Sequence, residues 1–264
     1  MSYPNVIYGD YGDEKVTSAT KIGSLPLGQL MILPDGRMFR HARASSACAI
    51  TAGYLQMSSS TISGTGFHKS LTCSADVGAT SVVVTCPAGT GALAGAFEDG
   101  YLIVASSTGT GVGRMYKVAT NNSAAAAATC TVSLEKTDPI VVAIGGTTAT
   151  VGLKENQFRN LIVSNAATTY TGPIQGVAPV AFAGTAVGHY FWVQRGGPAP
   201  AYVPTTALLE GAPVIAAATA GAFEIAASGL AAGTAFSEKY RDYLGYGMTR
   251  AEANGFSIVD LTIE

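Results

Sequence analysis

The side chains of this 264-residue chain that could do chemistry are three histidines, four cysteines and a scatter of acids. His41, His68 and His189 stand far apart, and none has an acid or thiol beside it at a spacing that would set a base against a nucleophile. Only assembly across the fold would make a triad of them. His41 lies in a basic stretch, where an exposed or interface position is expected, and His189 runs into Tyr190, Phe191 and Trp192, which suits a strand start or an aromatic interface. Cys48, Cys73, Cys86 and Cys130 form no C-x-x-C pair and have no histidine at ligand spacing. They read as small buried hydrophobes. A Cys73–Cys86 or Cys86–Cys130 bridge is the alternative, though not the expectation for a chain made in a reducing cytosol.

The acids give no stronger signal. Asp10-Tyr11-Gly12-Asp13-Glu14 lacks the ligand spacing of a calcium loop and reads as a solvated turn. Gly89-Thr90-Gly91-Ala92-Leu93-Ala94-Gly95 and Gly109-Thr110-Gly111-Val112-Gly113-Arg114 match neither phosphate-binding pattern, so they are taken as strand connections. With no nucleophile elbow, paired-acid motif or metal cluster, the expectation is no enzyme, no metal and no cofactor. Charged residues are only 12% of the chain and the net charge is −2, too weak a field to gather duplex nucleic acid. No apolar run reaches the length of a membrane span. Met1 to Asp10 carries no basic or apolar signal region, so nothing in it is expected to route the chain out of the cytosol.

The elements that must carry these residues are strands. Short β-branched runs recur from Leu71 to Leu153, among them Thr80-Ser81-Val82-Val83-Val84-Thr85 and Thr129-Cys130-Thr131-Val132-Ser133-Leu134, divided by Gly, Asn, Asp and Ser clusters. Residues 71–153 are therefore expected to be a small β-domain inserted into a larger one made of residues 25–70 and 154–264. Gly28 to Arg43 reads as a hairpin turning at Pro34-Asp35-Gly36, with Arg37, Arg40 and Arg43 facing outward. Ala44 to Gly53 is left as a short helix or a loop. Gly172 to Ala199 reads as two strands closed by a Gly196-Gly197-Pro198 stop. Short helices are expected at Glu238–Asp242 and Thr249–Asn254. Residues 1–24 have no sustained period and are expected to form an extended arm, ordered by a neighbour that receives Tyr3, Tyr8 and Tyr11. The fold class is all-β: a barrel or sandwich core, an inserted β-domain and an arm.

Three passages give the chain a likeness: Gln175-Gly176-Val177-Ala178-Pro179-Val180-Ala181 with Tyr190-Phe191-Trp192-Val193-Gln194 and Gly196-Gly197-Pro198-Ala199; Gly100-Tyr101-Leu102-Ile103-Val104 with Gly113-Arg114-Met115-Tyr116-Lys117-Val118; and Gly245-Tyr246-Gly247-Met248. The chain after about Leu71 resembles the capsid decoration, or cement, proteins of tailed bacteriophages. The resemblance implies a virion protein on the outer surface of a phage head that fastens capsomers, with the major capsid protein and its own copies, often as homotrimers, for partners. It brings no catalytic residues. The partner-binding residues expected on these grounds are Tyr3, Tyr8, Tyr11, Arg37, Arg40, Arg43 and Trp192. Trp192 is read first as core. Its alternative role is a glycan platform, with Tyr101 and Tyr116, in a host-surface-binding module; a tail or neck component is the other alternative.

Overall fold

The computed structural model describes residues 5–46, 48–59, 71–105, 109–145, 150–164, 172–184, 188–204, 208–226, 243–250 and 254–263. The chain divides into two compact units, Ser60–Gln157 and the remainder, Met1–Ser59 with Phe158–Glu264. The strands in chain order are β1 (Val6–Tyr8), β2 (Leu30–Ile32), β3 (Met38–Arg43), β4 (Leu55–Ser58), β5 (Leu71–Ser74), β6 (Ser81–Thr85), β7 (Tyr101–Val104), β8 (Met115–Asn121) and β9 (Thr129–Leu134). They continue as β10 (Thr150–Lys154), β11 (Leu161–Val163), β12 (Ile174–Val177), β13 (Tyr190–Val203), β14 (Pro213–Ala216), β15 (Phe223–Ile225), β16 (Tyr243–Gly247) and β17 (Gly255–Thr262). The protein is all-β, with only short 3-10 turns at Asp13–Lys15 and Ile22–Ser24 among the described helices.

Residues 60–157 close into a six-stranded antiparallel barrel, β10-β5-β6-β9-β8-β7. Alternation causes it: β6 points Val82 and Val84 inward and Ser81, Val83 and Thr85 outward, and β9 does the same with Cys130, Val132 and Leu134. Those inward residues meet Leu102, Val104, Tyr116, Val118, Val151 and Leu153 in one continuous core. Each fully buried aliphatic side chain there contributes roughly 1.5–3 kcal/mol. Val151 pairs with both Leu71 and Val104, so β10 shuts the barrel and leaves no edge for another chain.

In the other unit the strands run β1-β2-β3-β13-β17-β16-β14-β15, while β4 pairs with β11 and β12, and β12 also pairs with β13. Strand β13 is the spine. It does not stop at Gly196-Gly197-Pro198 but continues for 14 residues. A bulge between Gln194 and Gly196 lets the strand leave β3 and take up β17. The buried Gln194 amide nitrogen clamps the bend by donating to the carbonyls of Gly196, Gly197 and Pro198 at 3.2, 3.3 and 2.8 Å. Beyond it, the Tyr202 N–H points away from β17 to the Gly53 carbonyl. Pro198 and Pro200 share that parity, so the N–H groups they lack cost no bond to β17.

Two further expectations change. Within the expected arm, residues 5–24 are not free: β1 pairs in parallel with β2, the Gln29 amide donates to the Asn5 carbonyl at 3.0 Å, and Ser18 bridges Tyr190. Glu14 is buried there, accepting the Gly12 N–H at 2.6 Å. Ala44 to Gly53 is extended connection, with Ala44 bridging Leu161 and Ile50 bridging Phe182. Residues 238–242 lie outside the described residues, as do 251–253 within the second expected helix; Thr249 and Arg250 are not helical.

Candidate interaction surfaces

Strand β3 is covered on both faces, and that decides the fate of the basic strand. Phe39, His41 and Trp192 occupy one face, while Ala42, Phe191 and Val193 occupy the other. His41 is therefore wholly buried rather than exposed, stacked on Tyr190 at 5.5 Å and against Trp192 at 5.3 Å. Trp192 is 3% exposed and belongs to the core with Met31, Leu33 and Phe39, so it offers no partner or sugar a surface. The three arginines are half-buried and turned on their own chain. Arg37 holds Asp35 at 2.7 Å and approaches Glu14 at 3.8 Å; Arg40 donates to the Gly28 carbonyl at 3.0 Å. Arg43 donates to the Gly188 carbonyl at 3.3 Å and lies over the Tyr190 ring. Arg40 and Arg43 thus brace loops of their own chain.

Tyr8 and Tyr11 stand clear, at 83% and 65% exposed, with Tyr8 on β1 at the end of the strand path; Tyr3 lies outside the described residues. Of the aromatics proposed as a glycan platform, Tyr116 is buried in the barrel and Tyr101 is partly covered by the Lys117 ammonium at 4.4 Å. That platform does not form.

One exposed apolar surface among the described residues was not anticipated. On β17, Phe256 and Ile258 face outward between the buried Ser257 and Val259, and on β13 Pro198, Pro200 and Tyr202 lie beside Asp260, Ile258 and Phe256 in register. Next to them β16 exposes Tyr243 and Tyr246, followed by Met248. Tyr243 and Tyr246 are three apart and would face opposite ways on a regular strand. A bulge at Leu244–Gly245 turns them to one side, ring centroids 5.2 Å apart and edge-on. Partial burial, then the adjoining Tyr246 hydroxyl, push the Tyr243 phenol up to about 12. Gly245 is obligatory at φ 146°, because a Cβ there would lie 1.9 Å from the Asp260 carbonyl oxygen. At the far end Tyr54 stacks on Tyr202 at 4.8 Å and Tyr202 meets Phe256 at 5.6 Å. A groove of about 410 Å³ between the Asp35–Arg37 turn and Pro198, Pro200 and Ile258 continues this face.

Catalytic groupings do not emerge from the described residues. No three His, Cys, Asp or Glu side chains gather there as metal ligands. Cys73, Cys86 and Cys130 are buried free thiols and Cys48 is a half-buried one, so neither bridge forms. Burial pushes the Cys73 thiol up to about 11, and burial followed by the neighbouring Cys86 raises that of Cys130. No described helix is long and apolar enough to cross a membrane. No family model matches the chain, and neither a curated protein nor a solved structure matches it.

Proposed function

We propose that this chain is a structural protein of a tailed-phage particle, one that coats the outer surface of the head and stiffens it by bridging capsomers. The major capsid protein is its partner, and copies of the chain hold one another, as trimers in the proteins its sequence resembles. The observation that carries the reading is the pair Tyr8 and Tyr11, exposed on and beside the end strand β1. A strand with one unpaired edge and protruding tyrosines suits docking on another chain by strand addition, because the backbone supplies hydrogen bonds and the rings supply area at low entropic cost. A protein with a lattice-binding edge and a separate self-contact raises the effective concentration of each further contact. Modest contacts then hold a shell against internal pressure.

Co-sedimentation with undecorated phage heads tests the proposal. Saturable binding with increased heat resistance of the shells is expected, and Tyr8→Ser with Tyr11→Ser should weaken binding while leaving the fold intact. Absence of binding by the unaltered chain overturns it.

A further inference from the structure

We propose that the outward face of β13, β17 and β16 is covered by the same face of a second copy of this chain. The inference concerns self-contact and holds whatever shell or particle the protein serves.

Area is the first argument. Phe256, Ile258, Tyr243, Tyr246 and Met248 are each about half exposed. At roughly 200 Å² per large side chain they offer about 500 Å² of apolar surface in one place, at the upper end of what a monomer leaves bare. A stable interface needs about 800 Å² per partner, and in homodimers about 65% of that area is non-polar. Pro198, Pro200, Tyr202 and Tyr54 bring the face to that size.

The second argument is that, among the described residues, its own unit presents no unlike apolar surface of comparable size to receive it. The other exposed large hydrophobics described in this unit are Tyr8, Tyr11, Val16 and Leu209, three of them in the N-terminal segment and none on this face. A head-to-tail contact needs two unlike complementary patches, whereas an isologous contact needs one that complements itself. This face carries its own polar complement. The Asp260 carboxylate has no hydrogen-bond or ion-pair partner among the described residues, and it sits in register with Pro198 and Tyr246 amid phenols. Tyr54 packs on Tyr202, and Tyr243 packs on Tyr246, ring centroids 4.8 and 5.2 Å apart. Each phenol carries one O–H that can donate across the interface.

Ring geometry argues against a sugar. Tyr54 and Tyr202 lie 6° from parallel with their faces on each other, and Tyr243 meets Tyr246 at 76°. These rings are already packed on one another, as rings are in protein interfaces.

Sedimentation equilibrium of the full chain, without phage heads, is the test. The expected mass is an even number of 26.8 kDa chains, two from this contact alone and six if a three-fold contact also operates. Phe256→Lys with Ile258→Lys, both exposed in the single copy, should raise the dissociation constant of the two-fold contact at least about a hundredfold while leaving the circular dichroism spectrum unchanged. A milder Phe256→Ser should weaken it in the same direction. A monomer at high concentration, an odd-numbered assembly, or an even one indifferent to these substitutions overturns the inference. If pairing fails while heads are still bound, only this inference falls; if pairing holds and heads are not bound, only the shell reading falls.

Discussion

Gly245→Ala should be among the most damaging single-methyl changes in the sheet unit, and its cost can be worked from geometry. The added Cβ stands 1.9 Å from the Asp260 carbonyl oxygen, and real contacts of this kind stay above 3.0 Å. Strands β16 and β17 must therefore part by roughly 1 Å, which forfeits up to about half of the attraction between the facing atoms. The parting strains the pairs Gly245–Leu261, Tyr246–Asp260 and Gly247–Val259. A φ of 146° costs a non-glycine residue about 1–3 kcal/mol. Two weakened ladder bonds add about 1 kcal/mol each. The total is about 3–5 kcal/mol, or roughly 10 °C in the melting temperature of a unit this size. Gly36→Ala is the control, since Gly36 also has positive φ, 84°, but nothing lies within 4 Å of its Cβ. It should cost only about 1 kcal/mol. Calorimetric melts of both variants beside the unaltered chain measure the difference, and equal melting temperatures for the two would refute the clash argument.

Three other outcomes are expected. Tyr116→Phe should leave barrel stability unchanged or raise it by up to about 1–2 kcal/mol, because the buried hydroxyl has no described partner; a clear loss in a denaturant titration would contradict this. The Cys73 thiol, held at about 11 against an ordinary 9.0, favours folding fully below pH 9 and loses that contribution as pH rises toward 11. The loss is at most about 3 kcal/mol, so denaturant midpoints should fall across that window in the unaltered chain and fall less in Cys73→Val. Deleting residues 1–24 should lower the melting temperature as well as any head binding, since it strips β1 from β2 and Ser18 from Tyr190; an unchanged melt would restore the free-arm reading.

The barrel was legible because its signal is local. β5, β6 and β9 announce themselves by a period of two with Thr, Ser or Val outside, β7 alternates with Tyr101 and Ile103 outside, and a closed barrel of short hairpins asks little more of the sequence. Where a strand is covered on both faces the same rule fails. Arg37, Phe39, His41 and Arg43 share one parity, and a basic strand naturally reads as outward-facing, yet Phe39 and His41 lie wholly buried against Trp192 because β3 sits between β2 and β13. Nothing local told of those neighbours. The Gly-Gly-Pro reading failed for a related reason: glycine and proline stop an isolated strand, but here the glycines form a bulge and the prolines take parities that owe no bond to β17.

The candidate surface was hidden by the same kind of irregularity that builds it. Phe256 and Ile258 alternate with buried residues and mark an exposed row, but two apolar side chains on one strand are ordinary on any protein surface. What makes a patch of them is the addition of both Tyr243 and Tyr246, and a spacing of three assigns those residues to opposite faces unless a bulge intervenes. The only trace of that bulge in the sequence is Gly245, whose missing Cβ allows the Asp260 carbonyl to approach. A glycine between two tyrosines was thus the readable sign, and its meaning depended on β17, which follows later in the chain. Pairing of two copies through this face and the stability of the β16–β17 ladder rest on that one residue, so Gly245→Ala should weaken the self-contact as well as the fold.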